Sequence, residues 1–86
     1  MTIRTFLERL QNKQVNNLIY SANGLAGLIS VWKHEESFVL TWEECPSGEQ
    51  YDESLYTRNE RLVFWSIDEI LGFLATNDLK AESFTP

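Results

Sequence analysis

From Leu18 to Glu43 apolar and polar residues alternate, and the alternation breaks where the chain must turn. The first break is Asn23-Gly24, the strongest short hairpin signal, because both central residues of a type I′ turn need φ > 0. A turn there opposes Ala22 to Leu25, Tyr20 to Gly27 and Leu18 to Ile29. A second turn at Glu35-Glu36 opposes Lys33 to Phe38, Val31 to Leu40 and Ile29 to Trp42. The two registers agree. Since side chains alternate with period two, one face collects Leu18, Tyr20, Ala22, Leu25, Ile29, Val31, Phe38, Leu40 and Trp42, a core face. Gly27 would leave a gap there, and the ring of Tyr20 opposite is placed to cover it. The other face collects Ile19, Ser21, Ala26, Leu28, Ser30, Trp32, His34, Val39, Thr41 and Glu43, and it is half apolar.

Before the strands, Ile3, Phe6, Leu7 and Leu10 recur at helical spacing and predict a helix from about residue 3 to 13. Thr2 serves as its N-cap; Thr5 with Glu8 would form a capping box one turn later. After the third strand, Glu44 to Asn59 reads as a long irregular loop, and Glu60 to Trp65 as a fourth strand with Val63 and Trp65 on one face. Ser66 and Glu69 form an S-x-x-E capping box for a final helix, with Trp65 and Ile70 positioned as a hydrophobic staple. Its buried stripe is Ile67, Ile70, Leu71 and Leu74, and Asn77 is the stop. Gly72 inside it marks either the close approach of another backbone or an open surface position. The expected architecture is a single α+β domain over residues 1–86, in the order α-β-β-β-β-α. It is a two-layer fold, an antiparallel meander of about four strands with an N-terminal and a C-terminal helix. Residues 79–86 are expected as a partly ordered tail anchored by Phe84.

Charge narrows the function classes. Thirteen Asp+Glu against seven Lys+Arg give a net charge of −6, with no basic stripe of the kind that neutralises phosphates, so direct nucleic-acid binding is not expected. No run is long and apolar enough for a membrane span, and no secretory signal is read at Met1 to Lys13, which makes a cytoplasmic location the expectation. The one cysteine, Cys45, has no C-x-x-C partner and no neighbouring base to activate it.

Candidate chemistry is sparse. His34, beside Glu35 and Glu36, lacks a second His or Cys nearby to complete a metal site, and no phosphate-binding glycine loop or nucleophile elbow is present. No catalytic residue, cofactor or metal is therefore assigned, and an enzyme is not expected. Two surfaces remain. Ile19, Leu28, Trp32 and Val39 form the apolar cluster on the second sheet face, where burying the Trp alone removes about 150–250 Å² from water. At about 25 cal/mol per Å² this is worth several kcal/mol. Either one helix covers each face and the cluster is ordinary core, or both helices share one face and the cluster meets another chain. The weaker surface is the acidic loop, Glu43 to Glu53, with Tyr51, Asp52 and Tyr56 as its contact residues.

These features describe a small acidic protein-protein interaction module that self-associates, as a homodimer, through the apolar sheet face. The alternatives are a small-molecule-binding or enzyme accessory domain, using a pocket between the long loop and the sheet, and an acidic inhibitor or nucleic-acid mimic.

Overall fold

Two tight turns organise the sheet. In a computed structural model covering residues Met1 to Pro86, β1 (Asn16–Ala22), β2 (Leu25–His34), β3 (Ser37–Pro46) and β4 (Arg58–Phe64) form one antiparallel meander. Asn23 and Gly24 both have positive φ, 55° and 79°, as a type I′ turn requires. At the second turn Glu35 takes φ 56°, an αL conformation that L residues enter at some cost. The pairs Tyr20 with Gly27, Leu18 with Ile29, Val31 with Leu40 and Ile29 with Trp42 are those computed from the turns. The Tyr20 ring lies where a side chain at Gly27 would stand, so the glycine is required by that close approach.

The loop is shorter than its composition suggests. Pairing of β3 with β4 continues through Glu43 opposite Asn59 and Glu44 opposite Arg58, leaving residues 47–57 as the connection instead of 44–59. Of these added strand residues only Cys45 is buried and apolar, and one such position cannot show an alternation. The connection contains a one-turn 3-10 helix, Glu53–Leu55, capped by the Asp52 side chain, which accepts from Ser54 N at 3.1 Å.

Helix α1 (Ile3–Gln11) opens at Thr2, whose hydroxyl accepts from Thr5 N at 3.1 Å, so the capping box one turn later is not used. It stops two residues before the expected end because Lys13 turns into the αL region, with φ 59°. Lys13 N then bonds Leu10 O at 3.0 Å and Gln14 N bonds Arg9 O at 2.8 Å, a Schellman ending built without glycine. Helix α2 (Ile67–Thr76) ends the same way through Asp78, φ 56°. Its start is at Ser66 as expected, Ser66 Oγ accepting from Glu69 N at 3.2 Å. The staple does not form. Glu69 instead accepts from Trp65 N at 2.8 Å, while Ile70 is fully buried and Trp65 is 69% exposed, outside the core. Trp65 follows Val63 in strand alternation, and that alternation carries it away from the face on which α2 lies. Gly72 has open space around it and is the surface position.

Both helices lie on one side of the sheet. Phe6 and Leu10 from α1, Ile70 and Leu74 from α2, and Ile29, Val31, Phe38, Leu40 and Trp42 from the strands form a single core. The C-terminal residues belong to it as well, which corrects the expectation of a partly ordered tail. Phe84 is fully buried edge-on to Phe6, with ring centroids 5.3 Å apart, and Ala81 is buried beside it. Asn17 and Thr85 exchange two backbone hydrogen bonds of 2.7 Å, extending the sheet at the β1 edge. Tail residues are too few to show a period, but the edge strand offers them backbone partners that sequence cannot register. Asn16, fully buried, clamps α1 to β1: its amide donates to Phe6 O at 3.1 Å and its carbonyl oxygen accepts from Arg9 Nε at 2.8 Å. No helix is long and apolar enough to cross a membrane.

Candidate functional site: the uncovered sheet face

With both helices on the core side, the other face of the sheet is left without a second layer. The registers place Ile19 opposite Leu28 and Trp32 opposite Val39, as expected, and β4 adds Val63 opposite Val39. The four apolar residues do not make one patch, however. Between the two pairs runs a polar row of Asn17, Ser30, Thr41 and Arg61, in which Ser30 Oγ donates to Asn17 Oδ1 at 2.7 Å. Leu28 and Trp32 are four residues apart on one strand, about 13 Å at roughly 3.3 Å per residue.

At one end of the face stand Trp32, Val39, Val63 and Trp65. Val39 is only 2% exposed although no helix covers it, because it sits on a central strand between Trp32 and Val63. Trp32 is half-buried, with the Arg61 guanidinium 6.0 Å from its ring centroid. Val63 is 50% exposed, so the apolar surface grows toward β4, the strand edge that carries no further partner. The fourth-strand pattern already put Val63 and Trp65 on a common face; their union with Trp32 needed the β3–β4 register.

At the other end the 47–57 connection curls over the sheet and makes a groove of about 420 Å³. Its floor and walls include Ile19, Ala26, Leu28 and Cys45, with Glu43, Gln50 and Tyr56 along the rim. Ile19 is 78% exposed, whereas the Cys45 thiol is buried opposite Ala26. The Tyr56 hydroxyl donates to Gln50 O at 2.6 Å, which pins the connection over the groove. Its pKa is held above the usual tyrosine value by partial desolvation and by unfavourable electrostatics from Cys45 and the Glu43 and Glu53 carboxylates. Of the loop residues named from sequence, only Tyr56 joins this groove; Tyr51 is fully exposed and Asp52 is occupied as a helix cap. Glu43, Cys45 and Gln50 could not be grouped with Ile19 from sequence, since they meet only when the connection folds back.

On the helix side of the same sheet end a second concavity, about 440 Å³, is lined by Leu18, Tyr20, Trp42, Glu44, Arg58, Asn77 and Leu79. Its polar groups satisfy one another. Trp42 Nε1 donates to the Tyr20 oxygen at 2.9 Å, the Tyr20 hydroxyl donates to Glu44 Oε1 at 2.6 Å, and Thr57 Oγ1 donates to Glu44 Oε2 at 2.7 Å. The Arg58 guanidinium stacks 3.8 Å from the Trp42 ring centroid. Hydrogen bonds from Thr57 and then Tyr20 lower the Glu44 pKa, while burial and donation to Glu44 raise that of Tyr20. Glu44 is 24 residues from Tyr20, so no local pattern could link them. The chemistry is that of a brace: Trp42 Nε1, the Tyr20 hydroxyl and both Glu44 carboxylate oxygens already have partners. His34 is exposed at the second turn, and no three His, Cys, Asp or Glu side chains converge as a metal-binding set. Comparison of the chain with protein-family models, with curated proteins and with solved structures finds no match.

Proposed function

We propose that the protein is a protein-protein interaction module whose contact surface is the uncovered sheet face, and that it self-associates through the Trp32 end of that face. The observation that carries this reading is the placement of both helices and the C-terminal residues on the opposite side, which leaves Val63 and Trp65 in water and Val63 on the same cross-strand row as Trp32. Contiguous exposed apolar surface of this kind is characteristic of contact sites. Trp is enriched among residues that dominate binding energy, and Arg61 over Trp32 adds a polar partner at the same point. No carboxylate stands on the strand row that carries Trp32, Val39 and Val63, so two copies meeting on that row do not oppose like acidic charges. Work by binding, without catalysis, accords with the satisfied state of the Tyr20–Glu44–Arg58 cluster. We place the protein in the cytoplasm, where a single buried thiol, Cys45, stays reduced.

The test is sedimentation velocity on the wild type and on Trp32→Glu, with circular dichroism to report folding. The wild type is expected to run as a dimer and the variant as a folded monomer, because a charge is not buried unpaired in an apolar interface. A monomeric wild type overturns self-association. A variant that unfolds shows that Trp32 serves the fold instead.

A further inference from the structure

The groove at the opposite end of the face has a different chemistry from the Trp32 patch. Its floor is apolar: Ile19 and Leu28 are exposed, Ala26 is half-buried and Cys45 is buried, and the 47–57 connection flanks them only through Gln50 and Tyr56. Its rim is acidic. Glu43 lines it, and Glu53 lies on the connection that carries Gln50 and Tyr56, yet neither carboxylate has a cation within 4.0 Å, the chain's ion pairs being Arg4–Glu8 and Arg58–Glu60. Arg61, on the neighbouring polar row, is directed at Trp32. Glu43 to Glu53 contains five acidic residues and no basic one.

From this we propose that the groove receives an apolar side chain of a second, different protein, presented on a segment flanked by lysine or arginine. The groove's size falls in the range of roughly 300–1,000 Å³ that binding pockets occupy. The unpaired carboxylates set the sign of the partner, since a basic segment is steered toward them and an acidic one is repelled. A second copy of the chain is the wrong occupant. Two grooves facing each other would set Glu43 against Glu43 between bodies that each carry a charge of −6. A free small molecule is a poor occupant too: Ile19 remains 78% exposed in the groove, so a ligand seated there keeps much of its surface in water. A side chain arriving on a protein brings its own cover.

The experiment is a ¹⁵N–¹H NMR titration of the full chain and, separately, of its Trp32→Glu variant, which keeps the outcome independent of self-association. Three probes are used: a capped peptide with two leucines flanked by lysines, the same peptide with glutamate for lysine, and hexylammonium ion. The lysine peptide is expected to shift Ile19, Leu28, Glu43, Cys45 and Tyr56 saturably in both proteins. The glutamate peptide should bind at least about tenfold more weakly, and the lysine peptide should weaken as salt screens the rim. Glu43→Gln and Ile19→Ser, both at exposed positions, should each reduce its affinity several-fold with the spectrum otherwise unchanged. Absence of saturable shifts, equal binding of the two peptides, or shifts centred on Trp32 and Trp65 overturns the proposal. Hexylammonium binding as tightly as the lysine peptide overturns the choice of a protein partner and makes the groove a small-molecule site.

Discussion

One sheet presents two faces that both carry large apolar residues, one throughout and one over half its positions, and they meet opposite fates. On the helix side Ile29, Val31 and Leu40 are fully buried, whereas on the other side Ile19 and Leu28, in the same sheet, remain in water. The difference arises outside the strands. Each helix has one apolar stripe, Phe6 with Leu10 and Ile70 with Leu74, and each can bury it only once. Asn16 holds α1 over the core face by its bonds to Phe6 and Arg9, and Phe84 wedges against Phe6, completing that layer. An apolar residue in a strand is thus a request for cover, and the loops and helices decide which requests are met inside the chain.

The largest expected effect sets the faces against each other. Phe84→Ala removes a fully buried ring and should cost about 3–5 kcal/mol in urea unfolding, whereas Ile19→Ser on the open face should change stability by no more than about 0.5 kcal/mol. Similar losses at both sites would mean that the open face is part of the folding core. Next in size, Ser66→Ala should cost about 0.5–2 kcal/mol by removing the acceptor for Glu69 N, measured in the same way. Gly72→Ala should stabilise by roughly 1 kcal/mol, because α2 at that point faces open space. A loss there would reveal a contact on the outer side of α2.

The smallest expected effect is on pH dependence at the sheet end shared by the groove and the brace. Glu44 has a lowered pKa in the folded chain, so the unfolded chain binds its proton first as pH falls. Its contribution is complete above the ordinary carboxylate range near 4.5 and is lost as pH drops through the folded value. Tyr20 behaves in the opposite sense: its raised pKa means stability is lost as pH rises above about 10. Unfolding curves between pH 3 and 7 should therefore be less pH-dependent in Glu44→Gln than in the wild type. Equal slopes would show that Thr57 and Tyr20 do not favour the charged form of Glu44.

Local chemistry wrote much of this fold into the chain. Asn23-Gly24 can satisfy a type I′ turn at little cost, and once that turn and the one at Glu35-Glu36 are placed the two-residue period dictates every pair from Leu18 to Trp42. Thr2 and Ser66 mark helix starts because their hydroxyls satisfy backbone donors one turn away. The αL ending at Lys13 was illegible, since the residue there is not the glycine such an ending favours. Glu44 to Pro46 and Arg58 to Asn59 were illegible as strand because a single buried apolar residue, Cys45, among polar neighbours and a proline shows no alternation. Of the candidate contact residues, Ile19, Leu28, Trp32 and Val39 were legible as a face from alternation alone. Their division by the Asn17–Ser30–Thr41–Arg61 row needed the fourth strand in register.

What the sequence determined by itself was thus the strand registers, the helix starts and the existence of a second apolar face, all consequences of interactions spanning a few residues or one tight turn. Only the tertiary structure decided that both helices and Phe84 share one side, that Trp65 stays in water while Ile70 is buried, and that Tyr56 lines a groove with Ile19 and Cys45. Those outcomes depend on where rigid elements come to rest against one another. That is settled by shape, by buried partners such as Asn16, and by which apolar stripe is covered first, and none of these is a property of any short stretch of chain.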